Sequence, residues 1–317
     1  MKITEIEAIP IRGVRNYVTS AGLKTPASET VPPKTRALTS GYGTRRQICA
    51  YPRGYQSTLV RVHTDAGISG IGEAHSPLAP QVSATIVERV LAPALIDQDP
   101  RAVDVLWERM YSTMRLRGHS TGFMTEAMSG VDIALWDILG KALGLPVYVL
   151  LGGAHHTRIK AYASGVPGTT VEQQVANARR FVEQEGFTAV KMSIGRKDLE
   201  VEIAAVAALA QALGDEAHLL VDAHGAYDAT TALNLGRQMQ DLGVYWLEDP
   251  LPPEDHSGYK MLSDALELAI AAGETECNRC QFRDRLAERA VDVLLPDVCR
   301  AGGISEGRKI AHLADCY

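Results

Sequence analysis

A surplus of positive charge, a long apolar run and a cysteine framework are all missing from this sequence, and each absence removes a class of function. The net charge is −6 and the pI about 5.9, which leaves no basic footprint for nucleic acid or an acidic membrane surface. No apolar stretch approaches the roughly 20 residues that a membrane-spanning helix requires. The opening MKITEIEAIPIRG alternates charged and apolar residues and lacks a signal-peptide core, so a cytoplasmic enzyme is expected. Five cysteines, an odd number, argue against a disulfide scaffold. Cys277 and Cys280 form a CxxC, but a second pair for zinc and a thioredoxin-like context are both lacking, so free thiols are expected. What remains is a 317-residue chain, 46% hydrophobic and 22% charged, able to bury one large core or two smaller ones.

The organising stretch runs from Val221 to Asp297. It reads HLLVDAH around Asp222, VYWLEDP around Glu248, LAIAAGETE around Glu274 and VDVLLPD around Asp297, with the acids 26, 26 and 23 residues apart. Each acid follows a short apolar run, the length of a strand buried on both faces, and precedes helix-compatible sequence. One strand and one helix fill such a step, so this is a βα repeat. In barrels and doubly wound sheets alike the ligand sits at the carboxyl ends of the strands, where all four acids fall. Carboxylates gathered there repel one another unless a cation neutralises them. The all-oxygen trio Asp222, Glu248 and Glu274 suits a hard divalent ion, Mg²⁺ before Mn²⁺ or Ca²⁺. The plainer alternative is that each acid caps the helix after its strand.

In chain order, Lys2 to Arg12 reads as a strand with Ile3, Ile6 and Ile9 among polar neighbours. Residues 13–57 are broken by glycine and proline and carry the cations Lys34, Arg36, Arg45 and Arg46 with Tyr42 and other tyrosines. A structureless insert of this length is a functional lid or a disordered segment, and its tyrosines favour order. Two strands follow, at 57–64 and 70–74, joined by Asp65-Ala66-Gly67 as an antiparallel meander. Helical patterns cover Pro80 to Leu95, Arg101 to Met114 and Gly122 to Leu143, the last stopped by Gly144 and Pro146. Residues 1–140 are thus an α+β capping domain. From Ile159 strand and helix alternate, with strands expected at Ile159–Ala163, Ala189–Ile194, His218–Val221, Val244–Leu247, Leu268–Ala272 and Val291–Leu295. Residues 141–317 therefore read as a (β/α) TIM-type barrel. A closed barrel needs eight units and six are legible, so the sequence is expected to end before the fold does.

These motifs together carry a family resemblance. GVDIALWDILGKALGLPVYVLLGG at 130–153, then VKMSIG, VDAHG, WLEDP, GE and PDVCRAGGIS, resemble the enolase superfamily, within it the mandelate racemase and muconate lactonizing enzyme group. The resemblance implies that Asp222, Glu248 and Glu274 are three Mg²⁺ ligands. It implies that Asp297 is the aspartate that orients a histidine on the following strand, and that Lys191 is the first lysine of a Lys-x-Lys motif. Two departures stand out: the second lysine is Ser193, and no partner histidine can be assigned before Tyr317, since His312 falls on the sixth helix. The resemblance also implies a homo-oligomer.

The implied chemistry abstracts a proton beside a carboxylate and stabilises the enediolate with the metal. Lys191 and Ser193 alternate on one side of their strand, so both are expected to face the barrel mouth, Lys191 supporting the substrate carboxylate. Racemisation needs a base on each face, and a serine hydroxyl is no free base near neutral pH. Elimination of water needs one base and one acid, which favours a dehydratase. His224, two residues beyond Asp222, is the candidate acid, and Asp-x-His at this place resembles the sugar-acid dehydratases of the family. Lys34, Arg36, Arg45 and Arg46, with Tyr42, are candidates for closing over a polyhydroxylated carboxylate substrate, and Ser193 for contacting it. The sequence thus reads as an acid-sugar dehydratase, with a racemase or epimerase and a catalytically silent binding protein as alternatives.

Overall fold

Ile3 and Ile6 are both buried, although a regular strand would turn them to opposite faces. In the computed structural model, which describes residues 1–13, 34–39, 46–51 and 54–317, the first strand slips register between Ile3 and Glu5, and this bulge brings both side chains inward. Ile9, beyond the bulge, is 36% exposed. Five described strands open the chain: β1 (Ile3–Gly13), β2 (Lys34–Thr39), β3 (Arg46–Tyr51), β4 (Tyr55–Thr64) and β5 (Ser69–Ala74). β1, β4 and β5 make an antiparallel sheet in the order β1-β4-β5. β2 and β3 pair antiparallel with each other, Lys34 opposite Tyr51 and Thr39 opposite Arg46. Part of the stretch expected to be structureless is therefore a two-stranded ribbon. Tyr42 and Arg45 lie outside the described residues, and Arg46 opens β3.

The helix Phe123–Leu143 lies across that sheet, and glycine is what lets it approach. A Cβ added to Gly70 would stand 2.0 Å from the carbonyl of Ala134, and one added to Gly72 would stand 2.0 Å from the carbonyl of Gly130. Helix and strand thus meet backbone to backbone. The helix ends at Gly144, in left-handed conformation with φ 66, with Pro146 beyond it. The segment expected as one helix from Pro80 is α-helical over Pro80–Ile86 and Ala92–Leu95, with a π turn at Val87–Leu91 just before Pro93, whose missing N–H cannot continue an α ladder. Ile3, Val60, Trp107, Met128 and Leu135 belong to the buried core of this part.

The second part is a parallel sheet: β6 (Ala163–Ser164), β7 (Ala189–Ser193), β8 (His218–Asp222), β9 (Trp246–Glu248), β10 (Ala269–Ala272) and β11 (Val293–Leu294). These six strands neighbour one another in sequence order, with helices between them, as in a (β/α) barrel. The first is shorter than its apolar run suggested, because Ile159 is 90% exposed and has no face to bury. Val190, Val221, Leu247 and Ile270 belong to the second core, with helix residues such as Leu209 and Leu235. Among the described residues no helix is long and apolar enough to cross a membrane. Cys277, Cys280, Cys299 and Cys316 are free.

The two parts are fastened by side chains of the helix Phe123–Leu143. Asp132 accepts from the Ser305 backbone N–H at 2.9 Å and from the Ser305 hydroxyl at 2.6 Å. Trp136 Nε1 donates to that hydroxyl at 2.9 Å, and Ser129 accepts from the Gly302 N–H at 2.9 Å.

Candidate active site

The carboxyl ends of β7, β8, β9 and β10 bring their polar side chains to one place. Lys191 alternates with Val190 and Met192 on β7, so its ammonium enters the sheet mouth, where Glu248 Oε1 is 2.5 Å away and Asp222 Oδ2 is 3.3 Å away. The ammonium also lies 5.7 Å from the Tyr162 ring centroid. Burial alone would lower the Lys191 pKa, but the charges of Asp222 and Glu248 outweigh it and hold the value above the ordinary one. Trp246, two residues before Glu248 on β9, donates Nε1–H to Glu248 Oε2 at 3.1 Å.

His224 sits where the chain has just left β8, with φ 50, a left-handed backbone uncommon outside glycine. Asp222 Oδ1 holds it twice, accepting from the His224 backbone N–H at 3.1 Å and lying 3.1 Å from Nδ1. The far ring nitrogen, Nε2, is 3.3 Å from the Ser193 hydroxyl. Burial, and next the Arg196 charge, lower the His224 pKa, so the imidazole favours its neutral form with Nδ1–H toward Asp222.

Glu248, Asp249 and Glu274 place carboxylate oxygens within 4.8 Å of one another. Asp222 lies outside that trio and faces Lys191 and His224 instead. Burial raises the Glu248 pKa, as does the Asp222 charge. Asp249, also at positive φ, is pushed up to about 8 by burial and then by Glu274, Asp222 and Glu248. Glu274, at the open rim, is raised by desolvation and by Asp222. Such mutual elevation marks acids crowded without enough positive charge, and an all-oxygen set of this kind fits a hard divalent cation.

The helix-cap alternative for these acids gives way to other residues. The helices after β8, β9 and β10 are capped by Asp228, Asp255 and Asn278, whose side chains accept from Thr231, Gly258, and Cys280 with Gln281. Asp297 stands apart from the trio. It accepts from the Cys299 N–H at 2.7 Å and faces His75 Nδ1 at 3.4 Å, a histidine just past the end of β5. Arg300 ties the same loop to the carbonyl of Glu274 at 3.0 Å and to Glu126 at 3.1 Å. Asp249 was within reach of a sequence reading, as the second acid of WLEDP; His75 was not, since only the fold brings it to Asp297.

Residues 48–152 match the family described as mandelate racemase / muconate lactonizing enzyme, N-terminal domain, and residues 173–317 match the one described as enolase C-terminal domain-like. The chain is 34% identical over 284 residues to D-xylonate dehydratase of Haloferax volcanii, covering 83% of this chain and 67% of the relative. It is 37% identical over 262 residues to D-galactarolactone cycloisomerase of Agrobacterium fabrum, covering 82% and 68%. A solved structure of an enolase superfamily member from Polaromonas sp. JS666 superposes with TM-score 0.83 at 32% identity, covering 100% of this chain and 77% of that one.

Proposed function

Since the chain belongs to the mandelate racemase and muconate lactonizing enzyme group of the enolase superfamily, we propose that it is a Mg²⁺-dependent hydro-lyase that dehydrates a sugar acid, an aldonate or aldarate, to a 2-keto-3-deoxy acid. The observation that carries the reading is His224, pinned by Asp222 and touching Ser193 beside the acidic mouth. Several relatives bear dehydratase names, for D-xylonate, arabinonate, D-galactonate and D-gluconate.

Asp222, Glu248 and Glu274 would hold the metal, with Asp249 as a further acid beside them. Mg²⁺, when bound, would draw off negative charge from the substrate carboxylate as its α-proton leaves. Lys191 adds a second positive charge to the same region, held by two carboxylates and so kept protonated. Loss of water requires four proton events: the α-proton leaves, the 3-hydroxyl departs with a proton, and the resulting enol gains a proton at C3 and gives up its 2-hydroxyl proton as it becomes the ketone. His224 is assigned the second. Asp222 occupies Nδ1, which leaves Nε2 to deliver the proton; burial holds the resting imidazole neutral, so Nε2 must first take up a proton, and the Asp222 carboxylate beside Nδ1 offsets the charge this creates. Ser193, bonded to Nε2, keeps the ring turned toward the mouth.

A thermal-shift titration with Mg²⁺, followed by a screen of acid sugars for 2-keto products, tests the reading. A rise in Tm with Mg²⁺ and turnover of one or more sugar acids are expected; neither appearing would leave a silent binding protein. Deuterium from D₂O entering recovered substrate at the α-carbon, with no keto product, would instead make it a racemase or epimerase.

A further inference from the structure

Glu202 is a buried carboxylate in the first turn of the helix Leu199–Leu213, and no step of the proposed chemistry uses it. Its two oxygens are fully engaged. Oε2 accepts from the Gly195 N–H at 2.8 Å and the Tyr227 hydroxyl at 3.0 Å, while Oε1 accepts from the Arg196 N–H at 2.8 Å and the Lys197 N–H at 2.9 Å. Four acceptor positions, the whole capacity of a carboxylate, hold three consecutive amides and one phenol. The amides belong to the loop that continues β7 beyond Ser193. The phenol belongs to the loop that continues β8 beyond His224. One side chain therefore joins the two loops whose contact, Ser193 Oγ to His224 Nε2, defines the imidazole's position.

The packing around this clasp leaves little room to move. Ile194 N–H donates to the Asp222 carbonyl at 2.8 Å, and Gly195 has φ +85. A Cβ at Gly195 would stand 2.5 Å from Ala226 Cβ and 2.8 Å from the Ala223 carbonyl, so the β7 loop lies close against the Ala223 carbonyl and the Ala226 methyl, on either side of His224. Beyond it the Gly225 N–H donates to the Asp249 carbonyl at 2.6 Å and the Tyr227 N–H to the Pro250 carbonyl at 3.2 Å, tying the β8 loop to the β9 loop as well. The loop tip is thus fixed at its sides, while His224 itself holds a backbone conformation that needs external support.

We propose that Glu202, through Tyr227, is a positioning residue that sets the Ser193–His224 geometry without touching substrate. The kinetic part of this proposal rests on the dehydratase reading; the spectroscopic part does not. Tyr227→Phe removes only the link to the β8 loop, and Glu202→Gln puts an amide donor against backbone donors on the β7 loop. With ¹⁵N-histidine labelling and the His224 signal assigned by its loss in His224→Asn, both variants are expected to move the His224 ring-nitrogen resonances. Turnover of the sugar acid is expected to fall about 10- to 100-fold with KM within about twofold, the signature of a misplaced catalytic group. Amide exchange at 195–197 should quicken in Glu202→Gln and stay slow in Tyr227→Phe. Unmoved His224 resonances and unchanged kcat in Tyr227→Phe would overturn the proposal and leave Glu202 a loop support; this holds even if Glu202→Gln fails to fold. If the wild-type protein turns over no sugar acid, the dehydratase reading fails by itself and the resonances alone decide the role of Glu202.

Discussion

His224 is in left-handed backbone at φ 50, which costs about 1 kcal/mol or more for a side chain with a Cβ unless its surroundings hold it. Asparagine tolerates that conformation better than most residues, so His224→Asn removes the imidazole with little change to the loop. It should leave the Mg²⁺-induced rise in Tm intact and cut turnover by about 10² or more; full activity would retire His224 as the acid. The ligand assignment divides at Asp222 and Asp249. Asp222→Asn should abolish most of the Mg²⁺-induced rise in Tm, and Asp249→Asn should keep most of it; the reverse order would move the third ligand to Asp249, the acid within 4.8 Å of both Glu248 and Glu274. Asp222, Glu248 and Glu274 were legible in the sequence because each closes a short apolar or small-residue run, so the strand fixes where it emerges; Lys191 and His224 were picked out by the family resemblance, and the fold brings both to the same mouth. His75 and Glu202 were not legible, because their roles depend on partners brought near only by the fold.

The same contrast holds for whole elements. The βα rhythm was legible because strands buried on both faces must be apolar throughout, and it located all six parallel strands to within a few residues. The strand β1 was legible but its bulge was hidden, because the slip that turns Ile3 and Ile6 to one face exists only in register with the partner strand. The ribbon of β2 and β3 was hidden too, its composition being that of a loop. Gly70 and Gly72 in β5 are a case where the sequence marked a strand but not its reason. Both are non-left-handed, so their requirement is space under the helix Phe123–Leu143 and not backbone freedom. Gly72→Ala would drive a methyl against the Gly130 carbonyl, and neither element can yield without uncovering core. We expect a loss of about 3 kcal/mol or more in urea unfolding. Ile71→Ala, on the exposed face between them, should cost less than about 1 kcal/mol.

At the scale of the molecule, the seam between the capping part and the barrel part has a buried acid at its centre. Asp132 is fully buried, and its pKa is pushed up to about 7, chiefly by desolvation, against the hydrogen bonds from Ser305 that favour the ionised form. The carboxyl faces the start of the helix Gly303–Ala314, beside Gly303, with Asp104 adding repulsion and Lys309 paired to Asp104 at 3.2 Å. A folded pKa above the unfolded one means that folding favours the protonated acid. Its contribution is complete below about pH 4, and is lost progressively as the pH rises to about 7. Asparagine carries no such titration and can still accept from the Ser305 N–H. The difference in unfolding free energy between wild type and Asp132→Asn should therefore shift in favour of the variant by roughly 2–3 kcal/mol between pH 5 and pH 8. Urea unfolding at the two pH values measures it, with titrations elsewhere in the chain cancelling in the difference. A gap that stays constant would mean that Asp132 is ionised across the whole range, with the Ser305 hydrogen bonds outweighing burial, and that the seam is insensitive to pH.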